Sequence, residues 1–255
     1  MSDEFDRYSR HVLLKVIGSA GHEKIRSARV LVAGMGALGS LISILLARAG
    51  VGFLRLVDKD APEMNNLHRQ ILYNEKDALM GIPKVEAARA NLLTMASKIE
   101  IDAVNIKIDH ESIDQLLDNV DIVVDALDNS ETRFIVNDAI LGRRIPYIFG
   151  GAVETMGNVM TIIPGETPCL RCLWPDPSHV AGHARASTVG VLSSVASLVA
   201  SIQVTETFKV LVGDLENIIR GIMVVDIWKN QFHVVPIFPT PGCLCSGIAF
   251  QPSSP

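Results

Sequence analysis

The chain has 255 residues, 48% of them hydrophobic, and a formal net charge of −5 at pH 7. This length and apolar content suffice for one large α/β domain, and no linker-like stretch divides the chain. Lys and Arg are mixed among a larger number of Asp and Glu, which disfavours RNA and DNA as partners. Segment 1–10 alternates acids and arginines without an apolar stretch, so we expect no signal peptide and a cytoplasmic location.

Short apolar runs alternate with helical patterns through the first 150 positions. Because such alternation favours a parallel sheet, we predict a doubly wound, Rossmann-like α/β fold. One helix is predicted at 38–49, ending at Gly50, and Pro83 begins another that buries Val85 and Leu92. The strands are predicted at 30–33, 53–58, 99–104, 120–124 and 147–149.

The pattern changes after residue 157, where apolar runs are typical of antiparallel strands. We predict strands at 159–163, 222–226 and 231–235, with a turn at 228–230, and expect them to extend the sheet. Segment 186–205 carries no charged residue and is long enough to span a membrane. Its many Ser and Thr residues favour a buried, close-packed helix instead.

A turn of sequence G-x-G-x-x-G follows the first predicted strand and aims helix N-terminal amides at phosphate. Asp58 ends the second strand, at the distance where a carboxylate binds ribose hydroxyls. These features alone would equally suit an NAD-dependent oxidoreductase. Beyond them, Asn66, Arg69 and Gln70 supply a fork donor and amides suited to a triphosphate. The turn's candidate phosphate-binding residues are Gly34, Gly36, Ala37 and Gly39.

The four cysteines form two close pairs, Cys169 with Cys172 and Cys243 with Cys245. In a cytosolic chain, paired cysteines favour a metal site over disulfides. Zinc is the natural metal, and an all-thiolate zinc site is tetrahedral, closed and structural. It would join the two regions of the chain without taking part in catalysis.

These motifs, in this order, resemble the ubiquitin-activating-like adenylyltransferases ThiF, MoeB and HesA. The resemblance covers nearly the whole sequence. It rests on segment 7–10, the glycine turn, the Asp-x-Asp of 58–60, the Asn-Leu-x-Arg-Gln run of 66–70, segments 81–84 and 125–129, and the cysteine pairs. One departure is the second cysteine pair, which is C-x-C where the family usually has C-x-x-C. The shorter spacer can chelate but strains the usual turn.

The resemblance implies an ATP-dependent enzyme that adenylates the C-terminal glycine carboxylate of a MoaD- or ThiS-like sulfur-carrier protein and releases pyrophosphate. The products would serve molybdopterin or thiamine synthesis. It also implies a homodimer, in which Arg10 reaches the partner subunit's nucleotide. ATP, Mg²⁺ and Zn²⁺ are the implied cofactors. The implied roles are ribose binding for Asp58, phosphate contacts for Asn66, Arg69, Gln70 and Lys84, and magnesium binding for Asp128.

By the same resemblance, 1–255 is one adenylation domain with an N-terminal helical arm at 1–28, a nucleotide-binding half at 29–150 and a carrier-binding and zinc half at 151–255. We expect the carrier's tail to cross a loop at 174–188, in which His179 and His183 are loop residues. Some relatives carry a cysteine nucleophile near 183–188, and this chain has none there. That absence favours a MoeB-like enzyme served by a separate sulfurtransferase.

Three alternatives remain open at this stage. An NAD-dependent oxidoreductase would leave Arg69, Gln70, Lys84 and Asp128 unexplained. A tRNA-directed member of the same family would need a basic surface, which this acidic chain lacks. A non-catalytic scaffold would bind the carrier without binding nucleotide.

Overall fold

The computed structural model describes residues 7–96, 98–175 and 186–246. Its strands are β1 Arg29–Ala33, β2 Phe53–Val57, β3 Glu100–Val104, β4 Ile122–Asp125, β5 Tyr147–Val153, β6 Met156–Ile162, β7 Ile222–Asp226 and β8 Gln231–Val235. They form one sheet in the order β3-β2-β1-β4-β5-β6-β7-β8. Pairing is parallel from β3 to β5 and antiparallel from β5 to β8. The predicted fold class is confirmed.

Helices cover both faces of this sheet. They are α1 Ser9–Val12, α2 Gly18–Ser27, α3 Ala37–Ala49, α4 Glu75–Leu79, α5 Lys84–Met95, α6 Ile113–Leu116, α7 Ser130–Arg143, α8 Leu170–Leu173, α9 Ala186–Val189 and α10 Ser193–Val212. One buried core joins α3, α5 and α10, and the other joins α6, α7 and α8. Each face of the parallel strands is therefore apolar, as a doubly wound sheet requires.

The strand order reverses at β1, which lies between β2 and β4. Helices leave the sheet in opposite directions at such a point and open a crevice beyond the carboxyl ends of the strands. The glycine turn follows β1 here, and the backbone adopts a left-handed conformation at Gly34, with φ +96°. Asp58 follows the neighbouring strand β2 and accepts a hydrogen bond from the Met35 amide at 2.7 Å. The turn and the end of β2 are thus joined directly.

The single helix predicted within 186–205 is wrong, because the chain forms two helices separated at Gly190. Gly190 has φ +88°, and its carbonyl accepts the Glu154 amide at 2.9 Å. The Leu192 amide in turn donates to the Glu154 carbonyl at 2.8 Å. These bonds attach the interhelical segment to the turn between β5 and β6, which ends the first helix.

The second of these helices, α10, is the one helix of the described residues long and apolar enough to cross a membrane by length and composition. In this protein it packs against the sheet, with Val195 and Val199 fully buried. Its Gln203 side chain donates to the carbonyls of Asp125 and Ile148, at 2.7 and 3.0 Å. Burial on one face and these hydrogen bonds make α10 a core helix, as the sequence predicted.

Candidate functional site

A cavity of about 500 Å³ opens at the carboxyl ends of β1, β2 and β4. It lies at the reversal of strand order, where ligands bind in open α/β sheets. Most of the predicted nucleotide-binding residues meet here. Those that line it are Gly34, Gly36, Ala37, Asp58, Arg69, Gln70, Lys84 and Asp128.

Asp58 lies on the floor of the cavity, and its side chain is 11% exposed. Both carboxylate oxygens accept backbone amides, Oδ2 from Met35 at 2.7 Å and Oδ1 from Asp60 at 2.8 Å. An ionised carboxylate has about four acceptor positions, so two remain for ligand hydroxyls. The hydrogen bonds fix the orientation of Asp58 for the ribose role predicted for it.

Lys84 and Arg69 are two of the cations that line the cavity, and each contacts a neighbouring polar group. Lys84, whose side chain is 9% exposed, places Nζ 4.0 Å from Asp58 Oδ2 and 3.8 Å from Asp60 Oδ2. These carboxylates offset the unfavourable position of a cation in the first turn of α5. Arg69 donates from Nη1 to the Asn65 carbonyl at 3.0 Å. Both residues line the cavity together with the glycine turn.

Gln70 is 4% exposed, and its Oε1 has no hydrogen-bond partner among the described residues. A buried polar atom left without a partner carries a free-energy cost, and a bound ligand or water commonly removes it. Because Gln70 lines the cavity, this orphaned atom fits the presence of a polar ligand there.

Three of the residues predicted to contact a nucleotide lie outside the cavity lining as the described residues form it. Asn66 is the last residue of a 3₁₀ turn, Met64–Asn66, and its side chain takes part in a capping box with Glu63. Gly39 instead packs against the glycine turn, where an added Cβ would lie 2.0 Å from the Gly34 carbonyl oxygen. Arg10 lies on α1 and is exposed.

The loop after β4 carries Asp128, which is exposed at the rim of the cavity. Asn129 follows as the N-cap of α7, where its Oδ1 accepts the Thr132 amide at 2.9 Å. Asp125 lies at the base of the loop, is fully buried and pairs with Arg133 Nε at 2.9 Å. Burial raises the pKa of Asp125, and the Arg133 charge opposes that rise. Arg133 was not predicted as a site residue, although it lies eight residues after Asp125.

The cavity continues along β5 towards an aromatic wall. Phe149 and Trp174 meet edge to face there, with ring centroids 5.7 Å apart. Gly151 and Asn158 line the same extension. Most of the predicted tail-crossing loop at 174–188, including His179 and His183, lies outside the described residues.

The four cysteines converge at a second site, where their Sγ atoms lie within 4.8 Å of one another. Cys169 and Cys243 Sγ are 3.6 Å apart, and Cys172 and Cys245 Sγ are 3.4 Å apart. Four sulfurs bound tetrahedrally to one zinc would be separated by about 3.8 Å. The residues therefore fit a closed zinc site, and the C-x-C pair reaches it despite its shorter spacer.

The pKa values of Cys169, Cys172 and Cys245 differ because burial and hydrogen bonds act on these thiols to different extents. Burial raises the pKa of Cys169 to about 12 and also raises the pKa of Cys245. Burial acts in the same direction on Cys172, but hydrogen bonds from the Thr240 and Cys169 backbone outweigh it and lower its pKa to about 7. Four neighbouring thiolates repel one another, so a bound cation is what would keep all four deprotonated.

The two sites define a nucleotide-binding α/β protein with a cysteine-lined metal site. Residues 8–246 match the ThiF family, and the chain belongs to that family. Over 226 residues it is 40% identical to the sulfur carrier protein ThiS adenylyltransferase of Bacillus subtilis, covering 88% of this chain and 66% of that protein.

Two further comparisons extend this result. The SAMP-activating enzyme E1 of Haloferax volcanii is 33% identical, with 96% of this chain and 89% of that protein covered. The crystal structure of E. coli MccB with ATP superposes with a TM-score of 0.82 at 24% identity, over 97% of this chain and 76% of that one. The MccB comparison confirms the fold.

Two glycines of the turn provide a matched pair of variants. Gly39→Ala is expected to destabilise the protein by about 3 kcal/mol, because its Cβ meets the Gly34 carbonyl oxygen. Gly36→Ala places its Cβ 4.0 Å from Gln70 Nε2, so it should keep the melting temperature and weaken nucleotide binding by filling the phosphate position. Thermal denaturation and titration calorimetry with ATP check both. Equal melting temperatures for the two variants would contradict the packing role of Gly39.

Proposed function

We propose that this protein is an ATP-dependent adenylyltransferase that activates the C-terminal glycine carboxylate of a ubiquitin-like sulfur-carrier protein. The observation that carries the proposal is the convergence of the glycine turn, Asp58, Arg69, Lys84 and Asp128 on one cavity. The names of the Bacillus subtilis and Haloferax volcanii relatives support the same activity.

In the proposed reaction a carboxylate oxygen attacks the α-phosphorus of ATP. A new oxygen–phosphorus bond forms, the bond from the α-phosphorus to its bridging oxygen breaks, and pyrophosphate leaves with that electron pair. Arg69 and Lys84 would neutralise charge on the triphosphate and on the departing group. Asp58 would hold the ribose, and the amides of the glycine turn would hold phosphate.

Two metals belong to the proposal. Asp128, exposed at the cavity rim, would ligate Mg²⁺, which supplies charge neutralisation beside the phosphates when bound. The cysteine cluster would hold zinc as a structural link between the region of α8 and the C-terminal segment. Because all four cysteines belong to that cluster, sulfur transfer is assigned to a separate sulfurtransferase.

The carrier would dock on the antiparallel half of the sheet. The outermost strand β8 exposes Phe232 and Val234, 55% and 50% exposed, and the neighbouring Trp228 and Phe238 are 75% and 78% exposed. Exposed apolar residues grouped in this way mark interaction surfaces. A carrier seated there would send its tail along β5 into the cavity. In this proposal segment 1–28 is a helical arm, segment 29–150 binds the nucleotide, and segment 151–255 binds the carrier and zinc. The activity would be located in the cytoplasm.

A homodimer is proposed because Arg10 is exposed and lies away from the cavity of its own subunit. Leu13 and Val16, just beyond α1, are each 70% exposed, and Leu14 is 48% exposed. An apolar segment next to Arg10 would be covered in a symmetric dimer. The same contact would bring Arg10 to the partner's nucleotide.

Mixing two inactive variants tests the role of Arg10. Arg10→Ala and Asp128→Ala subunits, unfolded and refolded together in equal amounts, are expected to recover about one quarter of the wild-type adenylation rate. Half of the random dimers would pair one subunit of each kind, and each such dimer would contain one site with both residues intact. Absence of recovery in mixed dimers, verified by two affinity tags, would place Arg10 outside the partner's site.

Exchange of labelled pyrophosphate into ATP tests the activity itself. Exchange should depend on a MoaD- or ThiS-like carrier and vanish with a carrier that lacks its terminal glycine. ATP binding without exchange for any carrier would favour the tRNA-directed branch, whereas a folded protein that binds a carrier but no ATP would favour the scaffold. Salt-sensitive tRNA binding would identify the tRNA-directed branch.

A further inference from the structure

Arg133 joins three parts of the site that are distant in the chain. From α7 it donates Nε to Asp125 Oδ2 at 2.9 Å, and Nη2 to the carbonyls of Leu127 and Gly150 at 2.5 and 2.8 Å. Its guanidinium lies 5.0 Å from the Phe149 ring centroid. One planar group therefore connects the loop after β4 with strand β5.

Further hydrogen bonds, to Asp125 and to strand β1, also hold the loop after β4. The second oxygen of Asp125 accepts the Leu127 amide at 2.8 Å, and the Ala126 amide donates to the Ala33 carbonyl at 2.8 Å. Asn129 caps α7 immediately beyond. Asp128 thus lies between Leu127 and Asn129, which are both held by hydrogen bonds. Arg133 is one of the residues that hold Leu127.

We propose that Arg133 is a positioning residue, which sets the distance between Asp128 and the strand β5 along which the substrate carboxylate would approach. This inference rests on the proposed adenylation. Among the described residues the Asp128 side chain makes one hydrogen bond, a long one of 3.4 Å from Asn129 Nδ2, so its position depends on the backbone on either side. Gly150, which Arg133 also holds, precedes the cavity-lining Gly151.

Arginine is required here for its geometry. A lysine ammonium keeps the charge next to the buried Asp125 but cannot direct donors in one plane to a carboxylate and two carbonyls. Arg133→Lys therefore removes the bridge while leaving the carboxylate paired. Arg143→Lys is the matched control, because Arg143 lies on the same helix and pairs with the exposed Asp114 and Asp118, at 3.1 and 2.7 Å.

The experiment compares adenylation kinetics with binding. Arg133→Lys is expected to lower kcat about 30-fold, since a small displacement of a reacting group is costly. The KM for ATP, the ATP dissociation constant from calorimetry and the melting temperature should stay close to wild type. Arg143→Lys should match the wild type in every readout.

A double variant shows whether Arg133 acts through Asp128. In single-turnover reactions with excess enzyme, Arg133→Lys should slow the Asp128→Ala background by less than about threefold. An equal loss in both backgrounds would overturn the proposal, as would a wild-type kcat for Arg133→Lys.

Asp125→Asn provides a second route if Arg133→Lys does not fold. It preserves side-chain volume and removes the charge that orients the guanidinium, and it should reproduce the loss of kcat. A folded Asp125→Asn protein with wild-type kcat would also overturn the proposal. Lack of exchange by the wild-type protein would instead refute the adenylation on which the inference rests, so the two failures are distinguishable.

Discussion

Asp128→Ala is expected to reduce carrier adenylation at least about 100-fold without changing the melting temperature. The side chain is exposed, and its one hydrogen bond within the described part of the chain is a 3.4 Å contact with Asn129, so its removal leaves the core intact. It would, however, remove the carboxylate assigned to Mg²⁺ beside the α-phosphate. Pyrophosphate exchange at saturating ATP and carrier measures the loss.

Glu131→Ala is the control for Asp128→Ala. Glu131 is an exposed acid in the first turn of α7, three residues further along. The substitution removes one negative charge near the same end of α7, but Glu131 does not line the cavity described here. Its exchange rate should equal that of the wild type. A rate for Asp128→Ala within a few-fold of wild type would remove Asp128 from the proposed mechanism.

Removal of zinc is expected to lower the melting temperature by about 8–16 °C. This range follows from about 4 kcal/mol of binding free energy at a metal concentration one thousand times the dissociation constant. The ion would join Cys169 and Cys172, next to the core, to Cys243 and Cys245 near the C-terminus. Differential scanning calorimetry before and after chelation, with zinc quantified by elemental analysis, measures the effect.

Cys172→Ser supplies the control for this measurement. It removes one of the four sulfurs and should melt at the lower temperature whether or not a chelator is added. Arg69 and Lys84 lie in the other site, so ATP binding should survive in the folded variant. A wild-type protein that contains no zinc, or that melts identically after chelation, would contradict the metal site.

Much of the fold was predictable because local sequence and tertiary structure agree. Strands β7 and β8 were predicted with their observed bounds, and the helix after the glycine turn ends at Gly50, which has φ +90°. Strand β5 extends beyond its predicted end at 149 because it pairs with β6 as far as Val153. The break at Gly190 likewise depends on hydrogen bonds to Glu154, a partner distant in sequence.

The site residues were predictable where the residue type, at its place relative to a strand or turn, has few structural roles other than ligand binding. Asp58 and the glycine turn meet in the cavity because strands β2 and β1 end at the same edge, and Lys84 joins them from the first turn of α5. Asn66 was assigned to the phosphates from its motif, whereas its side chain takes part in a local capping box. Arg133 was missed because its partners include the carbonyls of Leu127 and Gly150, which leave no pattern in side-chain identity.

Transfer of label from ATP to the carrier tests the central claim most directly. The protein would be mixed with a MoaD- or ThiS-like carrier and ATP labelled at the α-phosphate, with ATP labelled at the γ-phosphate in a parallel reaction. Adenylation predicts α-label on the carrier's C-terminal glycine, no γ-label, and little product with Arg69→Ala. γ-Label on the carrier, or no label from either nucleotide despite ATP binding, would contradict it.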